Sequence, residues 1–319
     1  MAVLQEYPAG PGRMFDPLSP CAACPRNCGV DRRGGGKGFC GLDHRLHLSY
    51  SGLHFGEEPC LTGKGGVANF FFTSCNLACL YCQNFQISQD RIRDTVLSPE
   101  DFARAALELE QAGAEFLGLV SPSHQAPQIA EALVHAKKRG LSLPVVYNTN
   151  SYDAVASLRL FEGLVDVYLP DLKYADDGVA RQYSGVSDYV SRSREALLEM
   201  YRQVGDMELN PETGLARRGL WARHLVLPEG AAGTWESLCF LALELSPRVG
   251  LSLMAQYNPL YRAAGHPALG RRITSREYEE ALFMARDLGF LHVLSQDLSD
   301  SPDVAVPDFN DPEKPFARF

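Results

Sequence analysis

The residues with the clearest capacity for chemistry are three cysteines on one short segment, Cys75-Asn76-Leu77-Ala78-Cys79-Leu80-Tyr81-Cys82. Their spacing is C-x3-C-x2-C, and they directly follow an apolar, β-rich run, Val67–Thr73, which predicts a buried strand. Three thiolates on one compact loop can bind three irons of a four-iron cluster and leave the fourth iron free for a small molecule. Functional loops of parallel α/β sheets lie at the C-terminal ends of strands, where this loop falls.

Two other interpretations of this segment stay open at this point. Closely spaced cysteines can be small apolar fillers of a core. They can also belong to a structural zinc site, which normally takes four ligands and would need a distant fourth residue. The position of the loop directly after a strand favours the cluster over both.

The segment resembles the signature of the radical S-adenosylmethionine (SAM) superfamily, C-x3-C-x-aromatic-C, with Tyr81 as the aromatic residue. Its flanks, Thr73-Ser74-Cys75-Asn76 and Cys82-Gln83-Asn84, resemble the pyruvate formate-lyase activating enzymes. Further segments resemble a branch of activase-like proteins whose substrate is not established; they are residues 56–59, 121–124, 147–150, 168–174 and 223–228. The resemblance implies a [4Fe–4S] cluster that binds SAM through its open iron. It also implies reductive cleavage of SAM to a 5′-deoxyadenosyl radical, which abstracts hydrogen from a substrate.

The same resemblance implies cofactor contacts at the ends of several strands. They are Tyr81, Ser121, Ser123, Asn148, Asn150, Asp171, Lys173 and Arg223. Ser121 and Ser123 stand where the superfamily usually has a Gly-Gly-Glu segment for the SAM amino group, although Ser123 is also a plausible helix N-cap.

Asn148 replaces an acid that, in the activases, shares a monovalent cation with the residue matched here by Asp171. Lys173 is expected to meet the carboxylate or ribose of SAM. Arg223 is expected to meet the carboxylate, which a guanidinium can bind through two hydrogen bonds. The alternative for Asp171 and Lys173 is that they contact no ligand and form an exposed turn with a solvated lysine. The resemblance names no catalytic residue.

A second group of cysteines precedes the first: Cys21, Cys24, Cys28 and Cys40 lie in a Gly- and Pro-rich segment. Four thiols permit a closed zinc site or a second iron–sulfur cluster, and unligated thiols are the third alternative. The remaining cysteines, Cys60 and Cys239, are expected to be ordinary small apolar residues.

Composition restricts the class of protein. The chain has 319 residues, 30 basic and 39 acidic side chains, and a net charge of −9. The excess of acidic over basic side chains argues against nucleic-acid binding as the main function, because such binding depends on Lys and Arg contacts to phosphates. No apolar run approaches the roughly 20 residues of a membrane-spanning helix. Residues 1–13 are rich in Pro and Gly and have no apolar h-region, so they are not expected to be a secretory signal. The cysteines are clustered and their total, nine, is odd, which argues against a framework of disulfide bonds. Without a secretory signal, they favour a reducing, cytoplasmic setting.

Strand-like and helix-like segments alternate from residue 67 to residue 297, which predicts a parallel sheet with helical crossovers. The expected fold is an α/β incomplete parallel (β/α) barrel of about six units, with a doubly wound open sheet as the alternative. Residues 1–66 are expected to form a Cys- and Gly-rich extension with little regular structure, and residues 298–319 a loose tail.

Two functions compete. The first is a radical SAM enzyme, activase-like, that acts on a glycyl-radical enzyme, another polypeptide or a small substrate. Such an enzyme would need an electron donor such as a flavodoxin or a ferredoxin. The second is a metal-stabilised binding or scaffold protein on the same fold, without turnover.

Overall fold

A computed structural model describes residues 16–298, 306–311 and 313–316. Its strands are β1 Leu46–His54, β2 Val67–Phe72, β3 Thr95–Leu97, β4 Phe116–Val120, β5 Val145–Thr149, β6 Val167–Pro170, β7 Glu208–Leu209, β8 Ala216–Leu225, β9 Gly250–Met254 and β10 His292–Ser295. Its helices are α1 Pro59–Thr62, α2 Phe85–Ser88, α3 Pro99–Gln111, α4 Ala126–Lys138, α5 Val155–Leu158, α6 Asp177–Ser184, α7 Tyr189–Val204, α8 Thr234–Phe240 and α9 Ser275–Asp287.

One sheet organises these elements, in the order β10-β9-β8-β6-β5-β4-β2-β1-β3, with β7 paired to β8. The strands from β2 to β10 along this order are mutually parallel, whereas β1 is antiparallel to β2 and β3 is antiparallel to β1. Parallel strands follow chain order without the reversal that a doubly wound sheet shows. Helices follow six of them and the sheet has two free ends, so the predicted incomplete (β/α) barrel is confirmed.

Local sequence explains where the main helices begin. Ser98 precedes α3 and forms a capping box with Asp101, and Thr274 forms the same motif with Glu277 before α9. Every residue of β2 and of β4 is buried, as expected of parallel strands covered on both faces. The strand predicted over Val67–Thr73 recurs as β2, one residue shorter.

The expectation of little regular structure before residue 67 is wrong for β1. This nine-residue strand pairs along β2 from Leu48 to His54, so the predicted boundary at residue 66 divides one sheet. Residues 46–51 of β1 do alternate apolar and polar side chains, but the Gly, Pro and Cys residues around them obscure that signal. Residues 1–15 of the predicted extension lie outside the described residues.

The described part of the predicted C-terminal tail packs onto the sheet rather than lying loose. The Phe309 side chain is fully buried in a cluster with Phe71, Ile87 and Val120, and Phe316 packs against the same cluster. Gln86 fixes the segment, since it donates to Asp308 and accepts from the Phe309 amide. Among the described residues, no helix combines the length and apolar character that crossing a membrane requires.

Candidate functional site

A cavity of about 400 Å³ lies at the C-terminal ends of the parallel strands, and Cys75, Cys79 and Cys82 all line it. The loop after β2 carries these cysteines, and the loops after β4, β5 and β6 bring polar side chains to the same cavity because parallel strands end on one side of a sheet. Seven of the eight predicted cofactor contacts line it: Tyr81, Ser121, Asn148, Asn150, Asp171, Lys173 and Arg223.

Each of the three thiols has a polar neighbour that suits a thiolate. Cys75 Sγ accepts from Asn150 Nδ2 at 3.3 Å and from the Leu77 amide at 3.4 Å. Cys79 Sγ accepts from Ser184 Oγ at 3.0 Å, and Cys82 Sγ lies 3.3 Å from Ser88 Oγ. Hydrogen bonds to cluster sulfurs are one of the means by which a protein tunes iron–sulfur chemistry.

The electrostatics of the three thiols call for a positive partner. Burial raises the pKa of Cys75 to about 12 and that of Cys82 to about 11, with the neighbouring Cys79 thiol adding to both. Burial also raises the pKa of Cys79, against the lowering effect of Lys173. Deprotonating three buried thiols is costly unless a cation compensates, and iron would supply that charge.

The spacing of the donors also fits a cluster. All nine cysteines, which lie within the described residues, are free thiols. Within the described part of the chain, no three or more Cys, His, Asp or Glu side chains already surround one point as ligands of a single ion. A four-iron cluster places each thiolate on a different iron, so its cysteines need to share a cavity but not a common atom. The three thiols meet that condition.

A partly buried ion pair forms the wall near β6. Lys173 Nζ donates to Asp171 Oδ2 at 2.7 Å, and both side chains line the cavity. Burial is the largest single effect on the pKa of Lys173 and acts to lower it, but the Asp171 carboxylate, Cys79 and Tyr189 together raise the pKa by more. The lysine is therefore a fixed positive charge, and the exposed-turn alternative does not describe these residues.

Arg223, on β8, is held by two glutamates. Its Nη2 donates to both Glu57 and Glu58, and its Nε donates to Glu58 Oε1 at 2.8 Å. Ser252 Oγ donates to Glu58 Oε1 at 2.7 Å, and Asn69 Nδ2 donates to Glu57 Oε1 at 2.7 Å. Two carboxylates face one guanidinium, so this side of the cavity has a formal charge of −1. The expected contact between Arg223 and a SAM carboxylate stays a prediction.

Ser123 is the one predicted cofactor contact that turns away from the cavity. It is 1% exposed, and its hydroxyl lies 3.0 Å from Thr149 Oγ1, so it bridges the loops after β4 and β5. Ser121 lines the cavity in the left-handed region, with φ of 57°. Non-glycine residues in that region are strained and concentrate at functional sites.

Tyr81 begins a chain of hydroxyl groups that ends at Cys79. Its Oη lies 2.6 Å from Tyr174 Oη, which lies 2.7 Å from Ser184 Oγ. Because each hydroxyl has one proton and Ser184 donates to Cys79, Tyr174 must donate to Ser184 and Tyr81 to Tyr174. All three dipoles therefore point towards the Cys79 sulfur.

Several residues of the site were not predicted from sequence. Ser184, Ser88 and Tyr174 contact the site from helices and loops that the cysteine motif does not include. Glu57 and Glu58 lie in a segment that the resemblance singles out, but sequence alone left open whether they face solvent or the cavity. His224, the neighbour of Arg223 on β8, is fully buried between the Leu172 carbonyl and Thr234 Oγ1.

The four N-terminal cysteines also converge. Cys21, Cys24, Cys28 and Cys40 line one small cavity of about 10 Å³, which lies on the other side of the Cys75 loop and is bordered by Asn76. The two groups of thiols are thus joined through one loop.

Residues 69–205 match the family model described as the radical SAM superfamily. The chain is 29% identical over 274 residues, 83% of its length and 74% of the relative's, to "Uncharacterized protein MJ0674" of Methanocaldococcus jannaschii. Among solved structures, SuiB of Streptococcus suis bound to its precursor peptide SuiA is 12% identical with a TM-score of 0.49. This match covers 70% of the present chain and 47% of SuiB. Methylornithine synthase is 17% identical with a TM-score of 0.48, over 70% and 61% of the two chains. The chain thus spans about half to three fifths of these two structures.

Proposed function

We propose that this chain, whose residues 69–205 match the radical SAM superfamily model, is an enzyme that cleaves SAM reductively and uses the resulting radical to abstract hydrogen. The supporting observation is the convergence of Cys75, Cys79 and Cys82 on one cavity that the strand-end residues also line. When bound, a reduced [4Fe–4S] cluster supplies the electron that splits the sulfonium carbon–sulfur bond of SAM into methionine and a 5′-deoxyadenosyl radical.

The chain's own residues would bind and orient the two cofactors. Cys75, Cys79 and Cys82 are the candidate iron ligands, and the open side of the cluster would face the cavity. Ser121 and Asn148 lie at the ends of the adjacent strands β4 and β5, where their side chains can orient the polar end of SAM. The volume of about 400 Å³ falls in the usual range of pockets for molecules of this size.

Two charged groups would shape the approach of SAM. Lys173 is positive and lines the cavity, so its ammonium can meet the SAM carboxylate or ribose. Glu57 and Glu58 hold Arg223 through its Nε and Nη2 atoms, so Nη1 is the nitrogen that can meet the carboxylate. A monovalent cation beside Asp171 would have to share that carboxylate with Lys173, so we do not include it in the proposal.

For the substrate we propose a polypeptide, of which a glycyl-radical enzyme is one example. Support for this comes from the sequence resemblance to activating enzymes around the cysteine loop and the strand ends. The electron would come from a flavodoxin or a ferredoxin, and we propose a cytoplasmic setting because the open iron of such a cluster is sensitive to oxidants. The family match itself extends only to the radical SAM superfamily.

The test is SAM cleavage by protein reconstituted anaerobically with iron and sulfide. On reduction, the wild-type chain should release 5′-deoxyadenosine and methionine in equal amounts, whereas Cys79→Ala should release neither. Cys239→Ala is the matched control, because this thiol lies on α8 away from the cavity, and it should behave as the wild type. Reconstituted wild-type protein that holds iron but never cleaves SAM would instead indicate a scaffold protein.

A further inference from the structure

The four N-terminal cysteines form a built pocket of their own. Backbone hydrogen bonds bring the ends of their loop together, from Cys21 N to Val30 O at 2.8 Å and from Gly29 N to Cys21 O at 3.0 Å. Cys28 Sγ accepts from the Phe39 amide at 3.3 Å, which brings the turn before Cys40 against the first three cysteines. Nothing in the radical SAM chemistry described above uses these thiols.

The charges around the pocket indicate that an anionic group belongs there. Arg32 is 1% exposed and lines the pocket. It donates to the backbone carbonyls of Asp43 and His124, and it has no carboxylate partner within the described part of the chain. Burying a guanidinium without a negative charge is costly. Arg26 also lines the pocket, and its Nη2 atom is buried without a hydrogen-bond partner.

We propose that Cys21, Cys24, Cys28 and Cys40 bind one zinc ion as a closed four-thiolate site. Four thiolates and Zn²⁺ have a net charge of −2, which Arg32 and Arg26 would balance, and the free Nη2 of Arg26 would gain a sulfur acceptor. The pocket volume of about 10 Å³ is close to that of one water-sized probe. A single ion therefore fits, and a cube of four irons and four sulfides does not.

Zinc binding would draw the four sulfurs inwards. The four sulfurs share a pocket, but among the described residues they are not yet close enough together to coordinate one ion. Zinc–sulfur bonds are about 2.3 Å long, so the loop has to close by a small amount.

The site would act as a clamp on the loop that carries the other three cysteines. Arg26 Nε donates to the Asn76 carbonyl at 2.8 Å, and its Nη1 donates to the Gly185 carbonyl at 2.9 Å. Ser74 Oγ donates to the Cys40 carbonyl at 2.7 Å. Ser74 and Asn76 flank Cys75, so an ion that orders the N-terminal segment also fixes the position of Cys75.

The experiment measures zinc per chain after purification of the full-length protein with added zinc and dialysis. We expect about one zinc per wild-type chain, loss of that zinc in the double variant Cys24→Ser/Cys28→Ser, and full retention in the control Cys239→Ser. A double variant that keeps its zinc, or a wild-type chain that takes up none, would overturn the proposal.

A second arm avoids dependence on the folding of that variant and separates this site from the SAM-cleaving site. In the variant Cys75→Ala/Cys79→Ala/Cys82→Ala, Co²⁺ added in place of zinc should give the strong visible and near-ultraviolet absorption of a tetrahedral cobalt–thiolate site. Reconstitution of the same variant with iron and sulfide should leave it without a cluster. A cluster in this variant, or cobalt without thiolate absorption, would refute a four-thiolate zinc site whether or not the wild type cleaves SAM.

Discussion

The hydroxyl group of Ser184 offers a sharp test of how the protein tunes its cluster. Ser184 is fully buried and donates to Cys79 Sγ at 3.0 Å, with Tyr174 and Tyr81 aligned behind it. Ser184→Ala removes this donor and changes little else in volume. Because reduction adds negative charge to the cluster and its sulfurs, a lost donor should make reduction harder.

The size of the effect follows from the energy of a hydrogen bond to a charged group, about 1.5–3 kcal/mol. If one third of that energy distinguishes the reduced from the oxidised cluster, the difference is about 0.5–1 kcal/mol. For a one-electron couple, about 1.4 kcal/mol corresponds to 59 mV. We therefore expect Ser184→Ala to lower the midpoint potential by about 20–40 mV.

The assay is a potentiometric titration of the reconstituted protein, followed by the electron paramagnetic resonance of the reduced cluster. Tyr174→Phe is the matched control, because it removes the hydroxyl behind Ser184 but keeps the donor to Cys79. Its midpoint should stay closer to the wild type than that of Ser184→Ala. An unchanged or raised potential in Ser184→Ala would refute the assignment of Cys79 as a cluster ligand with a tuning donor.

Three further predictions concern stability. Arg223→Met leaves Glu57 and Glu58 buried without a cation, so the free energy of unfolding at pH 7 should fall by about 3–5 kcal/mol in urea denaturation; a loss below about 1 kcal/mol would contradict the buried triad. Burial lowers the pKa of His224 from 6.5 to about 4, so the unfolded chain binds a proton that the folded chain rejects. The contribution of His224 to stability should therefore be complete well above pH 6.5 and be lost towards pH 4, so over this interval the wild type should lose about 3 kcal/mol more than His224→Gln. Phe309→Ala should raise local opening of residues 306–311 by about 100-fold in hydrogen exchange, because a fully buried ring contributes about 3 kcal/mol or more; unchanged exchange would show that the segment is not held by this ring.

Sequence patterns predicted the parts of this protein whose determinants are local. The spacing of Cys75, Cys79 and Cys82 predicted a shared site, and the apolar run Val67–Thr73 predicted the strand before it. The alternation of apolar strands with amphipathic helices predicted the parallel sheet. Each of these signals is contained within a few neighbouring residues, so a single sequence is enough to read it.

Features that depend on distant residues were missed or misjudged. Arg223 was expected to be free for a ligand, but its partners Glu57 and Glu58 lie more than 160 positions away along the chain. Ser123 matched a motif position, yet the direction of its side chain is set by Thr149 on the next strand. Contacts of this kind become visible only once the strands are placed side by side.

Polar helices and doubly buried strands were the other difficulty. Helix α6, Asp177–Ser184, is short and mostly polar and was not predicted, although its last residue contacts Cys79. Strand β1 is buried on both faces within a Gly- and Cys-rich region and was not predicted. In β1, the Gly, Pro and Cys residues of the surrounding segment obscure a local alternation of apolar and polar residues.

The central claim is that Cys75, Cys79 and Cys82 bind three irons of a [4Fe–4S] cluster and leave the fourth open to SAM. Its most direct test is the electron paramagnetic resonance spectrum of the reduced, reconstituted protein with and without SAM. The account predicts the signal of one reduced [4Fe–4S] cluster per chain, changed by SAM in the wild type and absent in Cys79→Ala. A signal of full intensity in Cys79→Ala, or a wild-type signal that saturating SAM leaves unchanged, would contradict it.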